Sequence, residues 1–330
     1  MLSRGVGLFP TEPPAVLREL TALAESLGYD NVWFGDSQNI WREASVTMAA
    51  AAVGTSRIIF GTGVTNAVTR HRSLLASTWA TMFELTGGRV AMGIGAGDSS
   101  LRTMGLAPMT LNALENAVAE IRTLFAGGSV KEPNSGADYH LNYVDHPLHI
   151  PIYIAASAPK ILRLAGRTAD GVILLVGTAP EFVAAALRTV EEGARDAGRT
   201  LADLHLVLWT PTAINNDGSK ARDLVRAHVA RVVIRPLPAP IDSDLAKVVE
   251  GIRSSYDYYH HMDTEAAHAD LVPDRLVDLF SLAGTPEECA KRIKTLQNTG
   301  IDQISIVPFV RPGESREGTI RLFAEISDGI

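Results

Sequence analysis

A single cysteine, Cys289, occurs among 330 residues, so no disulfide can close within the chain. Its neighbours Glu287, Glu288 and Lys291 read as an amphipathic helix and not as a metal cluster, and such thiol usage leads to the expectation of a reducing, cytoplasmic setting. Long hydrophobic runs are missing too. No stretch approaches the roughly 20 residues of a membrane span, and Met1 to Gly5 lead into an apolar strand without a signal-peptide core. A membrane is therefore not an expected partner. Nor is a nucleic acid, because 30 Lys and Arg against 37 Asp and Glu leave a net charge of -7 with no basic block to neutralise phosphates. Aromatic residues are few at 6%, while 46% hydrophobic content supplies a large aliphatic core. Several motifs are absent as well. There is no Walker loop, no Ser-His-Asp order, no HExxH, and no GxGxxG opening a first βα unit. Gly93 to Gly97 follows a later strand and lacks the ribose carboxylate of a dinucleotide fingerprint.

What is present is an alternation of short β-rich runs with longer segments of 3.6-residue period, the pattern of parallel βα units. Eight core strands are expected, beginning near Val6, Asn31, Ile58, Val90, Pro151, Gly171, Leu206 and Gln303. Eight is the number that closes an α/β barrel, and barrels of this length occur as one domain, here residues 1–330. The first outer helix is read from Val16, Leu20, Leu23 and Leu27, entered at Pro13 and Pro14 and left at Gly28. A later stripe of Leu111, Leu114, Val118, Ile121 and Leu124 ends at Gly127. Residues 129–148 read as a long loop or hairpin over the rim. Residues 215–284 exceed what one barrel helix needs, and read as a helical insertion between the seventh and eighth strands. The insertion carries the aromatic and His-rich patch Tyr256 to His261. Metal ligation is not expected there, since adjacent histidines on one helix diverge.

The richest stretch runs from Arg57 to Asp98, where two apolar strands each end in a glycine corner followed by polar residues. Thr65 and Asn66 follow the third strand and Asp98 the fourth; Asp36 and Ser37 follow the second, and Ser157 the fifth. Residues so placed line one mouth of a barrel, where ligands bind. Asp36 and Asp98 could instead cap the following helices, and the glycines could serve tight corners. Arg70 and His71 could face a substrate or solvent.

The succession Gly35-Asp36-Ser37, Gly61 to Asn66, Thr69-Arg70-His71, Leu85 to Arg89 and Gly93 to Asp98 resembles the bacterial-luciferase-like superfamily of flavin-dependent oxidoreductases. The likeness continues in Pro151 to Lys160 and Leu164 to Val172. Within the superfamily the chain looks most like the branch that uses the deazaflavin coenzyme F420, especially the methylenetetrahydromethanopterin reductase-like enzymes. The resemblance implies a luciferase-like (β/α)8 TIM barrel, a homodimer, and hydride transfer between F420 and a small organic substrate. An FMN-dependent monooxygenase and a non-catalytic flavin-binding protein are the alternatives. It also implies that Asp36 lies by the ring, with Asp36, Ser37 and Asp98 as catalytic candidates. Coenzyme contacts would come from Gly63, Val64, Thr65 and Asn66, with a non-prolyl cis peptide at Gly63-Val64, and from Gly95, Ala96, Gly97 and Asp98. Ala155, Ala156, Ser157 and Ala158 would cradle the coenzyme phosphate, since backbone N–H groups reach an anion only where side chains stay small. The position after Asp36, often His in relatives acting on alcohols or sugar phosphates, is Ser37. The first strand has Gly7 to Pro10 where pterin reductases carry acidic residues, which leaves ketones, imines and activated alkenes open.

Overall fold

Strands and helices alternate as the two apolar periods require, in a computed structural model that describes residues 2–237, 239–256 and 268–329. The order opens with β1 (Ser3–Leu8), α1 (Pro14–Ser26), β2 (Asn31–Phe34), α2 (Ala44–Ala52), β3 (Ile59–Thr62), α3 (Arg72–Thr86) and β4 (Val90–Ile94). A short helix α4 (Ser99–Arg102), α5 (Leu111–Phe125) and a hairpin, β5 (Val130–Lys131) with β6 (Asp138–Tyr139), follow. Next come β7 (Ile152–Ala156), α6 (Pro159–Thr168), β8 (Gly171–Leu174), α7 (Pro180–Asp196) and β9 (His205–Ile214). The remainder is α8 (Gly218–Val233), α9 (Ser243–Ser255), α10 (Asp274–Phe280), β10 (Leu282–Gly284), α11 (Pro286–Leu296), β11 (Gln303–Pro308) and α12 (Glu317–Ile326).

All eight expected strands are present and all are parallel. They run β1-β2-β3-β4-β7-β8-β9-β11 and close where β11 pairs with β1, while β10 extends the far end of β9. Period two then sorts the side chains. Val32, Phe34, Phe60, Met92 and Ile154 point outward to the helix layer. Trp33, Tyr153, Val207, Trp209 and Val307 point inward and fill the barrel. Trp33 is flanked in register by Gly7 on β1 and Gly61 on β3. A Cβ at Gly61 would fall 2.2 Å from its ring, so this glycine is what admits the indole. Below it, Trp33 Nε1 donates to Gln303 Oε1 at 3.2 Å, and Gln303 Nε2 donates to Asn31 Oδ1 at 2.7 Å, so this buried polar layer is satisfied. Trp33 and Trp79 are both fully buried packing residues, as the sequence suggests.

Two sequence readings are corrected. The buried face of α1 is Leu17, Leu20, Thr21 and Ala24, with Val16 39% exposed. Of the expected stripe, Leu20 is buried and Leu23 and Leu27 pack partly buried on the core; only Val16 misses it, and Leu17 takes its place. The β5–β6 hairpin does not cover the mouth. It reaches His71 at the start of α3 through Tyr139 and Glu132, and the segment that follows it lies along that helix, where Tyr143 Oη donates to Ser77 Oγ at 2.8 Å. The insertion holds α8, α9 and α10, whose apolar faces build a second core around Val225, Val229, Leu276 and Phe280. Of the Tyr256 to His261 patch, Tyr256 follows α9, and residues 257–261 lie outside the described residues. No helix among the described residues is long and apolar enough to cross a membrane.

The glycine contacts make opposite predictions at two sites. Gly61→Ala should destabilise by about 1–3 kcal/mol or more, because the new Cβ meets the Trp33 ring and the Ala91 carbonyl oxygen at 2.9 Å. Gly251→Ala, inside α9 with nothing within 4 Å, should stabilise by about 0.5–1 kcal/mol. Urea midpoints of the two variants against the parent chain check both signs.

Candidate active site

At the carboxyl ends of the strands lies a cavity of about 580 Å³, within the usual range for small-molecule sites. Trp209 forms its floor. A Cβ at Gly7 would lie 2.6 Å, and one at Gly63 2.4 Å, from that indole, so only glycines let it stand across the barrel. Above the floor the chain turns through a cis peptide at Gly63-Val64. The turn is held by Gly63 N–H donating to Phe34 O at 2.8 Å and Gly95 N–H donating to Thr65 O at 2.9 Å. Val64 and the Gly95-Ala96-Gly97 corner form one side; a Cβ at Gly95 would meet Val64 Cγ2 at 2.9 Å. Phe9 and Trp41, stacked at 4.4 Å and 5°, form another. Ala155, Ala156, Ser157 and Ala158 line the approach to α6, whose first position is Pro159.

Asp36 lies at the cavity edge, 6% exposed, with its carboxylate fully engaged. It accepts from Arg70 Nε and Nη2, both at 3.0 Å, and from Thr65 Oγ1 at 2.6 Å; Arg70 also pairs with Glu43. The hydrogen bonds that Arg70 donates to Asp36, outweighing the cost of burial, hold the guanidinium above its ordinary value. Asp36 thus ties the loop after β2 to the loop after β3. It caps no helix, since α2 is capped by Glu43, which accepts from Val46 N.

Asp98 occupies the N-cap position of α4 without making the capping bond. Its carboxylate instead accepts from Arg102 Nε at 2.9 Å and Arg231 Nη2 at 3.2 Å, and pairs with Arg235. Burial would raise this carboxyl, but the fields of Arg231 and Arg235 and the bond from Arg102 hold it at about 2. At neutral pH it can accept a hydrogen bond but has no proton to give.

Ser37 faces the cavity, its Oγ 2.7 Å from Ser99 Oγ, so one hydroxyl of the pair donates to the other and the second proton is free for a ligand. Thr65 and Asn66 lie behind the wall. Both are buried, Thr65 on Asp36 and Asn66 donating from Nδ2 to Ser100 Oγ at 3.1 Å while its Oδ1 caps the turn at Val68 and Thr69. Arg70 and His71 part company, since His71 faces outward, accepting from Ser73 N as the N-cap of α3.

The sequence profile of the luciferase-like monooxygenase family matches residues 3–303, nearly the whole chain. The chain belongs to that family. Among curated relatives it is 30% identical to the 5,10-methylenetetrahydromethanopterin reductase of Methanolobus tindarius, over 97% of this chain and 98% of that one. It is 34% identical to the F420-dependent glucose-6-phosphate dehydrogenase of Beutenbergia cavernae, over 64% of this chain and 68% of that one. Among solved structures, the coenzyme F420-dependent tetrahydromethanopterin reductase from Methanopyrus kandleri superposes with a TM-score of 0.78 at 26% identity, covering 98% of this chain and 97% of that one. Family and relatives together make this luciferase-like chain an oxidoreductase.

Sequence reasoning missed Phe9, Trp41 and Trp209 as cavity walls, and Arg231 and Arg235 as partners of Asp98. The i, i+4 arginines of the insertion were the available signal, but spacing alone does not tell which helix face meets the barrel.

Removing one member of either ion cluster should cost stability. Arg70→Met leaves Asp36 buried without its cation and should destabilise by about 3–5 kcal/mol, which Asp36→Asn in the same chain should partly restore. For Asp98 the folded value is lowered from 3.8 to about 2, so its contribution is present above pH ~4 and lost as pH falls through ~2. The stability gap between parent and Asp98→Asn, measured by urea unfolding, should therefore be constant from neutral pH to about 5 and close towards pH 2.

Proposed function

We propose that the chain is an F420-dependent oxidoreductase that moves a hydride between the deazaflavin and a small organic substrate bearing a C=N, C=O or C=C group. The observation that carries this reading is the cavity itself, a flat, small-residue ledge at Gly63-Val64 and Gly95-Ala96-Gly97 faced by aromatic walls. The relatives named for F420 support the choice of coenzyme over FMN. The small residues of the ledge leave room for a planar tricycle above Trp209 and Val64, against which Gly63 and Gly95 are packed too closely to carry a Cβ.

In this reading Gly63 and Val64 back the ring, the Gly95 to Gly97 corner takes the ribityl chain, and Ala155 to Ala158 at the start of α6 take the phosphate. The coenzyme supplies the hydride chemistry when bound. The protein's part is placement. Phe9 and Trp41 exclude water from the substrate side, and Ser37 Oγ, oriented by Ser99, donates a hydrogen bond to a substrate heteroatom. Asp36, spent on Arg70 and Thr65, holds the ledge from behind; Asp98 fixes the insertion against the rim. Neither carboxylate is assigned a proton transfer.

Fluorescence titration with F420 and with FMN tests the reading. Micromolar F420 affinity without FMN binding is expected, and Gly95→Val should weaken F420 by roughly tenfold or more, about 1.4 kcal/mol. FMN binding in place of F420 would turn the proposal into a monooxygenase; binding of neither would end it. The same reading carries a homodimer, for which the exposed apolar side chains of Val46 on α2, Val53 at its C-cap and Leu74 on α3, at 65%, 76% and 52% exposure, are candidate contacts. A monomer mass by light scattering at micromolar concentration would remove it.

A further inference from the structure

Two guanidinium groups stand in the cavity wall where one carboxylate must serve both. Arg231, in the last turn of α8, and Arg235, just beyond it, reach out of the insertion to Asp98 at the end of β4. Their side chains are 17% and 31% exposed, and both line the cavity. The other face of α8 carries Ala221, Val225, Val229 and Val233 into the insertion core, so the helix is anchored and its arginines are aimed inward. An ordinary account exists for part of this, since a cation suits a helix C-terminus and an ion pair suits Asp98.

That account leaves charge over. Each guanidinium carries five N–H donors, yet for both residues the only acceptor among the described residues is Asp98 Oδ2. Arg231 Nε is buried with no acceptor among the described residues. Asp98 is further shared with Arg102. The other carboxylate at the cavity, Asp36, is taken by Arg70 and Thr65. Two positive charges against one shared negative leave at least one unbalanced cation facing a partly desolvated space. Burial and the neighbouring Arg231 lower the Arg235 guanidinium from its ordinary value, and Asp98 and Tyr256 offset this only in part, in keeping with a cation pair that shares one carboxylate.

We propose that the substrate is an organic anion, and that Arg231 and Arg235 receive its carboxylate or phosphate group while its reducible bond lies over the Gly63-Val64 ledge. This rests on the coenzyme reading above, because it is the α6 approach at Ala155 to Ala158, a separate strand end, that takes the coenzyme phosphate and leaves the arginines for the second ligand. Planar forks of this kind bind carboxylate or phosphate through paired N–H bonds, and Lys can replace their charge but not their geometry. The insertion is therefore the part of the fold that selects substrates by charge.

The test uses the full chain and inorganic phosphate as the probe, followed by calorimetry with and without saturating F420. Phosphate is expected to bind the coenzyme-loaded protein, and Arg235→Gln and Arg231→Gln should each weaken it roughly tenfold or more, about 1.4 kcal/mol. F420 affinity should change less than about twofold in the same variants, and Arg235→Lys should retain part of the phosphate binding. That Lys variant guards against loss of fold as the cause, as does the F420 titration. Equal phosphate binding by the parent and both Gln variants, or none by the parent, would overturn the assignment. So would saturating F420 that abolishes phosphate binding together with Gln variants that lose F420 to the same degree; the arginines would then hold the coenzyme's own anionic tail. Arginine-dependent phosphate binding by a parent chain that takes no F420 would support the anion site and overturn the coenzyme reading.

Discussion

Everything at the mouth of this barrel depends on Trp209 standing across its interior between Gly7 and Gly63. The indole fills the space that eight strands enclose, which sets the depth of the cavity and gives the ledge above it something to rest on. The contact is permissible only because Gly7 and Gly63 offer hydrogen where a methyl would clash. One layer deeper, Trp33 repeats the arrangement against Gly61, and the polar layer of Gln303, Asn31 and Ser305 satisfies the indole N–H from below. Packing and site are thus one construction, with inward glycines on β1 and β3 opposite inward tryptophans on β2 and β9.

Charge does a different task at the rim. The Asp36–Arg70–Glu43 cluster ties the loops after β2 and β3, and Asp98 with Arg231 and Arg235 ties the end of β4 to a helix more than a hundred residues later. Such buried pairs contribute little net stability over an apolar replacement, but they are costly to break singly. Their value here is positional. They decide which backbone faces the cavity, and they consume both carboxylates that might otherwise move protons. What remains for a ligand is a hydroxyl pair, an aromatic wall, small-residue backbone and surplus positive charge.

How much of this could be read beforehand differs by residue. The eight strands and the position of the insertion were legible because period-two and period-3.6 apolar patterns follow from the backbone alone. So were the glycine corners at Gly61 to Gly63 and Gly93 to Gly97, and the resemblance they carry led to the cis peptide at Gly63-Val64. Thr65 and Asn66, grouped with the site by their place in the same corner, lie behind the wall, because a side chain's direction depends on a turn whose geometry composition does not reveal. In α1 only Val16 was misplaced, for a related reason: Val16 and Leu17 are both apolar, and only the packing beneath decides which is covered.

Local order, strand count and the class of site were therefore determined by the sequence by itself, through periodicity and backbone permissiveness that act between near neighbours. Tertiary structure alone decided that Asp98 is an ion-pair hub and not a helix cap, that Trp41 stacks on Phe9, and that Arg231 and Arg235 face the cavity. Each of these joins segments far apart in the chain. Their meeting is set by barrel closure, which no local pattern encodes.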